Sequence, residues 1–254
     1  MRLIILLIAL HILPPLHGQN TEIKKPNVVF LISKDSNNYE ADKTIPLFAR
    51  EQEKKMGWTT KVLQAEGPRT AASFKGLGDA LKKADVLVVF ARRLALPEQQ
   101  MNQIKEYLRQ GKPIIGIRTA NHAFTLMDGD AKPAGFHDWP EFVPEILGCL
   151  NTGYGPVEPG TDVKVVARAK KNPLLTGIPN RWHSTGNLYL VDFTIDPASV
   201  PLLKGSSDGQ THPIAWTRTA GKSKVFYTSL GHPADFDTQE FKTLVINAVG
   251  WAIK

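Results

Sequence analysis

An α/β fold in three layers, with helices on both faces of a mostly parallel central sheet, is predicted by three features of the sequence. Short apolar runs alternate with stretches of helical periodicity through the first half of the chain, the succession that builds a βαβ sheet. Two of those runs, 27–32 and 113–117, are almost continuously apolar, as strands buried on both faces are. A helix with one unbroken apolar face closes the chain: Phe241, Leu244, Val245, Ala248, Val249 and Ala252 fall at helical spacing.

The elements follow in order. Met1-Arg2, an apolar run from Leu3 to Leu10, the Pro14-Pro15 break and Gly18 have the form of a secretory signal peptide, residues 1–18, cleaved after Gly18. The run falls short of the roughly 20 apolar residues of a membrane span; an uncleaved N-terminal anchor is the alternative. Cleavage leaves residues 19–254, a length that suits one domain. A strand at 27–32 precedes a polar loop. Ile45, Phe48, Ala49 and Met56 then outline a helix with Pro46 in its first turn. A strand at 58–63, a short helix carrying Phe74, Leu77 and Leu81, and a strand at 84–90 come next. Pro97 opens a helix faced by Met101, Ile104 and Leu108 and capped by Gly111. The central strand at 113–117 follows. Beyond it, a short helix is expected at 140–147 and strands at 162–167, 188–193, 200–203, 213–217 and 224–228, several alternating and therefore antiparallel or at an edge. Asp237 and Glu240 are spaced as a capping box for the last helix. The order of elements is that of a flavodoxin-like sheet, in which ligands bind at the carboxyl ends of the strands.

Composition narrows the function. The net charge is +7, and loss of Arg2 leaves 7 − 1, about +6. The basic residues are scattered, with no stripe interleaved with aromatics, so nucleic acid is not an expected partner. Cys149 is the single cysteine, which precludes an internal disulfide; its apolar neighbours read as a small buried residue near a helix end.

The segment Lys112-Pro113-Ile114-Ile115-Gly116-Ile117-Arg118 resembles the nucleophile elbow of class I glutamine amidotransferases, with Arg118 at the position of their catalytic cysteine. Late in the chain, Gly231-His232-Pro233 resembles the strand-end histidine motif of those enzymes, with Ala234 where their glutamate stands and Asp235 one step later. The frame without the thiol is similar to that of the trehalose-utilisation, ThuA-like, family. The similarity extends through Asn38-Tyr39-Glu40, Gly116-Ile117-Arg118-Thr119 with His122-Ala123-Phe124, Trp139-Pro140-Glu141-Phe142, Gly186-Asn187-Leu188-Tyr189, Pro213-Ile214-Ala215-Trp216 and Gly231-His232-Pro233-Ala234-Asp235-Phe236. Asn151-Thr152-Gly153-Tyr154 departs from the Gly-rich stretch ending in histidine that many relatives carry. The resemblance implies a class I glutamine amidotransferase-like fold and a place in disaccharide catabolism, often beside enzymes that make or consume 3-keto sugars.

From the residues themselves, a site is expected at the strand ends with His122, His232, Arg118 and Glu40 as its chemistry. Imidazoles move protons near neutral pH and a guanidinium can hold an oxyanion. Against a 3-keto sugar these groups would support isomerisation, epimerisation or elimination with no nucleophile. Tyr39, Asp235, Tyr189, His137 and Trp139 are the candidate substrate contacts. Each has a structural reading beside the functional one: Arg118 pairing with Glu40 or Asp235, the histidines hydrogen-bonded, the tyrosines in rim or core, His137-Asp138-Trp139 a surface turn. Two other classes stand open, a non-catalytic sugar-binding protein and a metal hydrolase using His122, His137, Asp138 and His232, although no compact ligand motif supports the latter. The expectation is thus a small-molecule sugar as partner, no cofactor or metal, no stable membrane span, a periplasmic or secreted location, and an oligomeric state left open.

Overall fold

The computed structural model describes residues 25–254 apart from 193–196. The expected leader lies outside the described residues. The first half follows the βα alternation: β1 (Asn27–Ile32), α1 (Ala41–Met56), β2 (Thr59–Gln64), α2 (Leu77–Lys83), β3 (Val86–Phe90), the two-residue β4 (Leu96–Pro97), α3 (Glu98–Arg109) and β5 (Ile114–Ile117). The second half adds β6 (Phe136–His137), β7 (Leu150–Tyr154), β8 (Thr161–Val165), β9 (Arg181–Ser184), β10 (Tyr189–Asp192), β11 (Val200–Ser207), β12 (Gln210–Ala220), β13 (Ser223–Thr228) and α4 (Gln239–Ala252).

Nine strands form one sheet in the order β2-β1-β3-β5-β13-β12-β11-β8-β9. Strands β2, β1, β3, β5 and β13 are parallel; β12, β11, β8 and β9 continue antiparallel. β13 is therefore the seam, paired through Val225 to Ile114 on one side and through Thr228 to Ala215 on the other. Its Val225, Phe226 and Tyr227 are fully buried because both sheet faces are covered. α1 and α4 pack one face over Phe30, Ile45, Phe48, Phe226 and Leu244. α2 and α3 pack the other over Leu31, Phe74, Leu87, Ile104 and Tyr227. Separate pairs β7–β10 and β4–β6 lie beside the main sheet. No helix among the described residues is long and apolar enough to cross a membrane.

Two local expectations are corrected, and two strands come without one. The helix at 140–147 is a wide π-type turn, Phe142–Leu147: Pro144 has no amide to donate, and Gly148 at φ 76° ends the turn. The cap of α4 is Thr238, whose hydroxyl accepts from the Phe241 amide, while Asp237 is exposed. The capping box lies earlier, on the 3₁₀ turn Pro233–Asp237, between His232 and Asp235. That turn separates His232 from α4. β7 and β9 had no strand signal, since each is short and mixes polar residues with apolar ones.

Candidate functional site

β5 delivers the chain into a sharp turn at the carboxyl edge of the sheet. Arg118, the first residue past the strand, has φ 46°, a left-handed conformation that costs a non-glycine residue on the order of 1–3 kcal/mol. The neighbours that hold it there are specific. Tyr227 Oη donates to the Arg118 carbonyl at 2.8 Å, and a Cβ on Gly116 would come within 2.9 Å of the Tyr227 ring. The strained elbow is thus present with an arginine in it. Cys149 lies elsewhere, fully buried, its thiol pushed up to about 12 by burial and inert as a nucleophile.

Arg118 is only 1% exposed. Nη1 donates to the Ser229 carbonyl at 2.8 Å and Nη2 to Asn187 Oδ1 at 2.7 Å, while Tyr39 and Tyr189 cover the guanidinium at 3.9 and 4.8 Å from their ring centres. A Cβ on Gly186 would meet Nη1 at 3.0 Å and His232 Cβ at 2.8 Å, so glycine is required there. The suggested ion pairs of Arg118 with Glu40 and Asp235 do not form. Glu40, at φ 52° just before α1, reaches Lys43 at 3.0 Å on the surface. Asp235 is buried, and both its oxygens are engaged inside the fold: Oδ2 accepts from the amides of Gly231 (2.8 Å) and His232 (2.9 Å), Oδ1 from Ser184 Oγ (2.7 Å). It shapes the loop that carries His232.

His232 is half-buried, with Tyr39 edge-on at 6.2 Å. Its Nδ1 lies 3.1 Å from Thr185 Oγ1 and 3.4 Å from the Ala234 amide. The amide can only donate to a bare Nδ1, whereas the hydroxyl can accept from Nδ1–H, so both neutral tautomers have a partner. Desolvation, then the Arg118 charge, lower its pKa below the ordinary histidine value.

His122 belongs to a different group. It ends the 3₁₀ turn Arg118–His122 and is 5% exposed; desolvation first, then Arg93 and Arg92, lower its pKa to about 3, so the ring is neutral at physiological pH. Around it lies a cleft of about 350 Å³ lined by Arg93, Asn121, His122 and Thr125 on one side, and by Pro140, Val143, Leu150, Asn151 and Tyr154 among others on the rest. Four of these residues carry buried polar atoms with no hydrogen-bond partner: Arg93 Nε, both side-chain amide atoms of Asn121, His122 Nδ1 and Thr125 Oγ1. Native proteins rarely leave such atoms unpaired. These atoms lie together among the residues of one wall of the cleft. Arg93 is also at φ 53°, with its amide donating to the His122 carbonyl at 3.0 Å.

A file of stacked side chains joins the two groups. Tyr154, on the cleft wall, meets Tyr189 edge-on at 4.9 Å; Tyr189 covers Arg118, Arg118 covers Tyr39, and Tyr39 meets His232. The structure therefore unites Tyr39, Arg118, Tyr189, Asp235 and His232, with Glu40 at their outer edge, and sets His122 apart across that file. His137 is exposed on β6. Trp139 is buried in the α3-side core, in edge contact with Phe142 at 5.3 Å and under Lys105 Nζ at 4.8 Å; Asp138 pairs with Lys132. Among the described residues no three His, Cys, Asp or Glu side chains come together as a metal-binding group, and the four ligands suggested for a metal hydrolase are dispersed. Arg93, Asn121, Thr125 and Tyr154 were missed as site residues by sequence reasoning. The usable signal was position: Arg92-Arg93 lies one residue beyond the carboxyl end of a buried strand.

The sequence profile of the family described as "Trehalose utilisation" (ThuA) matches residues 28–252, nearly the whole described chain. The chain belongs to the ThuA family. Among solved structures it is similar to a putative ThuA-like protein from Bacteroides uniformis, with a TM-score of 0.67 and 15% identity over 90% of this chain and 92% of that one. It is similar to another from Parabacteroides merdae, with a TM-score of 0.65 and 15% identity over 91% of each. A cold-adapted β-galactosidase from Rahnella sp. R3 shares the fold over 89% of this chain and 31% of its own, with a TM-score of 0.53 and 11% identity. Comparison with curated proteins gives no sequence match. At these identities the structural likenesses establish the fold: a ThuA-type, class I amidotransferase-like α/β domain with parallel core strands.

Proposed function

We propose that this ThuA-family chain is exported and acts on a disaccharide-derived keto-sugar, such as a 3-keto glycoside, by acid–base chemistry at the carboxyl edge of its sheet. The observation that carries the reading is the set of partnerless buried polar atoms on one wall of the His122 cleft. The residues that carry them line the cleft, small side-chain rotations would bring those atoms to a sugar's hydroxyls or carbonyl, and the cleft is within the size range of small-ligand sites. The C–H beside a ketone is acidic because the resulting charge moves onto oxygen. The Asn121 amide is suited to hold that oxygen, since a donor aimed at developing charge in a site shielded from water contributes most to such a step, and the neutral His122 ring is the one group in the lining that can accept the departing proton. His232 stands across the stacked file of Tyr189, Arg118 and Tyr39, outside the lining of this cleft, and takes no part in this step.

One observation favours a second reading, sugar binding without turnover. Arg118 has its Nη1 and Nη2 engaged by Ser229 and Asn187 and its faces covered by Tyr39 and Tyr189, so the cation assigned to the enolate from sequence is an interior support. Exchange of the proton beside the carbonyl of a 3-keto glycoside in heavy water, followed by NMR, separates the two. The enzymatic reading expects faster exchange with wild-type protein and a loss of about 10²-fold or more in His122→Ala. Binding with exchange at the background rate would leave the binding reading alone standing. Export is tested by N-terminal sequencing of protein from the host envelope, which should begin at or near Gln19; an intact Met1 in a cytoplasmic fraction would refute it.

A further inference from the structure

The charges around the His122 cleft are unevenly paired. Arg69 is bound to Asp130 at 2.6 Å, Arg92 to Asp35 at 3.4 Å, and Lys132 to Asp138. Arg93 lines the cleft itself, and among the described residues it forms no ion pair. Its Nη1 donates to the carbonyls of Thr125 (3.2 Å) and Leu126 (3.4 Å), and its Nε has no partner. None of the residues lining the cleft is an aspartate or glutamate. The guanidinium is nevertheless fixed in place, because the Arg93 amide is tied to the His122 carbonyl and the backbone is held left-handed. Next to it, Asn121, 2% exposed, presents an amide with neither atom bonded.

The Arg93 charge is felt by Asp130, but that carboxylate is already paired with Arg69; a half-buried guanidinium with no direct ion-pair partner is a socket for a ligand's own anion, since pairing it recovers charge-assisted hydrogen bonds that the protein leaves unmade. We infer that the cleft recognises a carboxylate-bearing sugar, with the carboxylate on Arg93, neighbouring hydroxyls on Asn121 and Thr125, and the ring against Tyr154. Arg93 is the only Lys or Arg among the lining residues, which matches one negative charge; a phosphate, carrying about −1.5 to −2 near pH 7, would want more. The inference rests on the proposed placement of the substrate in this cleft and narrows it to sugars that also carry an acid group.

The test is calorimetric titration with a matched pair, methyl glucuronide and methyl glucoside, which differ in a carboxylate against a hydroxymethyl. The acid should bind about tenfold tighter or better, and its advantage should shrink when salt is raised from about 50 to about 500 mM. Arg93→Asn, a residue that tolerates the left-handed backbone, should bring the affinity ratio close to one. Arg93→Lys, which keeps the charge without the planar fork, should retain part of the preference and covers the case in which the first variant fails to fold. Glucose 6-phosphate is the third ligand, and tighter binding of it than of the glucuronide would overturn the carboxylate assignment. Equal affinities for the matched pair, or a preference that survives Arg93→Asn, would overturn the inference while leaving the sugar-binding cleft intact. Failure of every sugar to bind would overturn both.

Discussion

Acidification should destabilise this protein through His122 in a way that can be isolated from every other titrating group. In the unfolded chain the imidazole takes up a proton near its ordinary value of 6.5; in the folded protein, desolvation and then the charges of Arg93 and Arg92 delay protonation until about 3. Between those values the unfolded state binds more protons, so stability is fully present above about pH 6.5 and is lost as the pH falls toward 3. With one pKa unit worth about 1.36 kcal/mol, the loss is on the order of 2 kcal/mol at pH 5 and of 4–5 kcal/mol by pH 3. The assay is urea unfolding of wild type and His122→Gln at pH 7 and pH 5. Carboxylates and the other histidines titrate alike in both proteins, so the difference of differences reports His122. Wild type should lose about 2 kcal/mol more than the variant between the two pH values. Equal losses, or a His122 ring resonance titrating near pH 6.5 in the folded protein, would refute the placement of this side chain in a desolvated, positively charged wall.

Other outcomes follow from the Arg118 hub. Arg118→Lys should cost about 2 kcal/mol or more in urea unfolding, because a point charge cannot serve Ser229 O and Asn187 Oδ1 together while lying flat between Tyr39 and Tyr189. Tyr227→Phe leaves the Arg118 carbonyl without its donor at the strained elbow and should cost about 1–3 kcal/mol by the same assay. Cys149 should resist thiol reagents in the native state and become reactive on unfolding, and Cys149→Ala should leave any sugar-dependent activity unchanged.

The parts of the fold that could be read from sequence are those fixed by local apolar pattern. β1 and α4 are legible because every residue on their inward faces is apolar and regularly spaced: Phe241, Leu244, Val245, Ala248, Val249 and Ala252 are all buried. β7 was invisible because Leu150-Asn151-Thr152-Gly153-Tyr154 has no strand pattern of its own and depends on pairing with the distant β10. The elbow could be placed from the segment around Arg118, but its surroundings could not. Tyr39 and Tyr189 are far apart in the sequence, and only the folded packing shows that they enclose the guanidinium. Asp235 illustrates the same limit: its acidity suggested a substrate contact, yet three donors within the fold occupy its oxygens. Arg93 looked like one of several scattered basic residues, since neither its left-handed backbone nor its lack of a carboxylate partner leaves a local sequence signal.

The central claim is that a sugar completes the hydrogen bonding of the cleft wall, and NMR titration of isotopically labelled protein with a 3-keto glycoside tests it most directly. The side-chain amide of Asn121 and the ring resonances of His122, whose amide atoms and Nδ1 are bonded by no protein group, should shift together and saturate with the ligand. Saturable binding that leaves those two residues unmoved while perturbing another face of the domain would contradict the account.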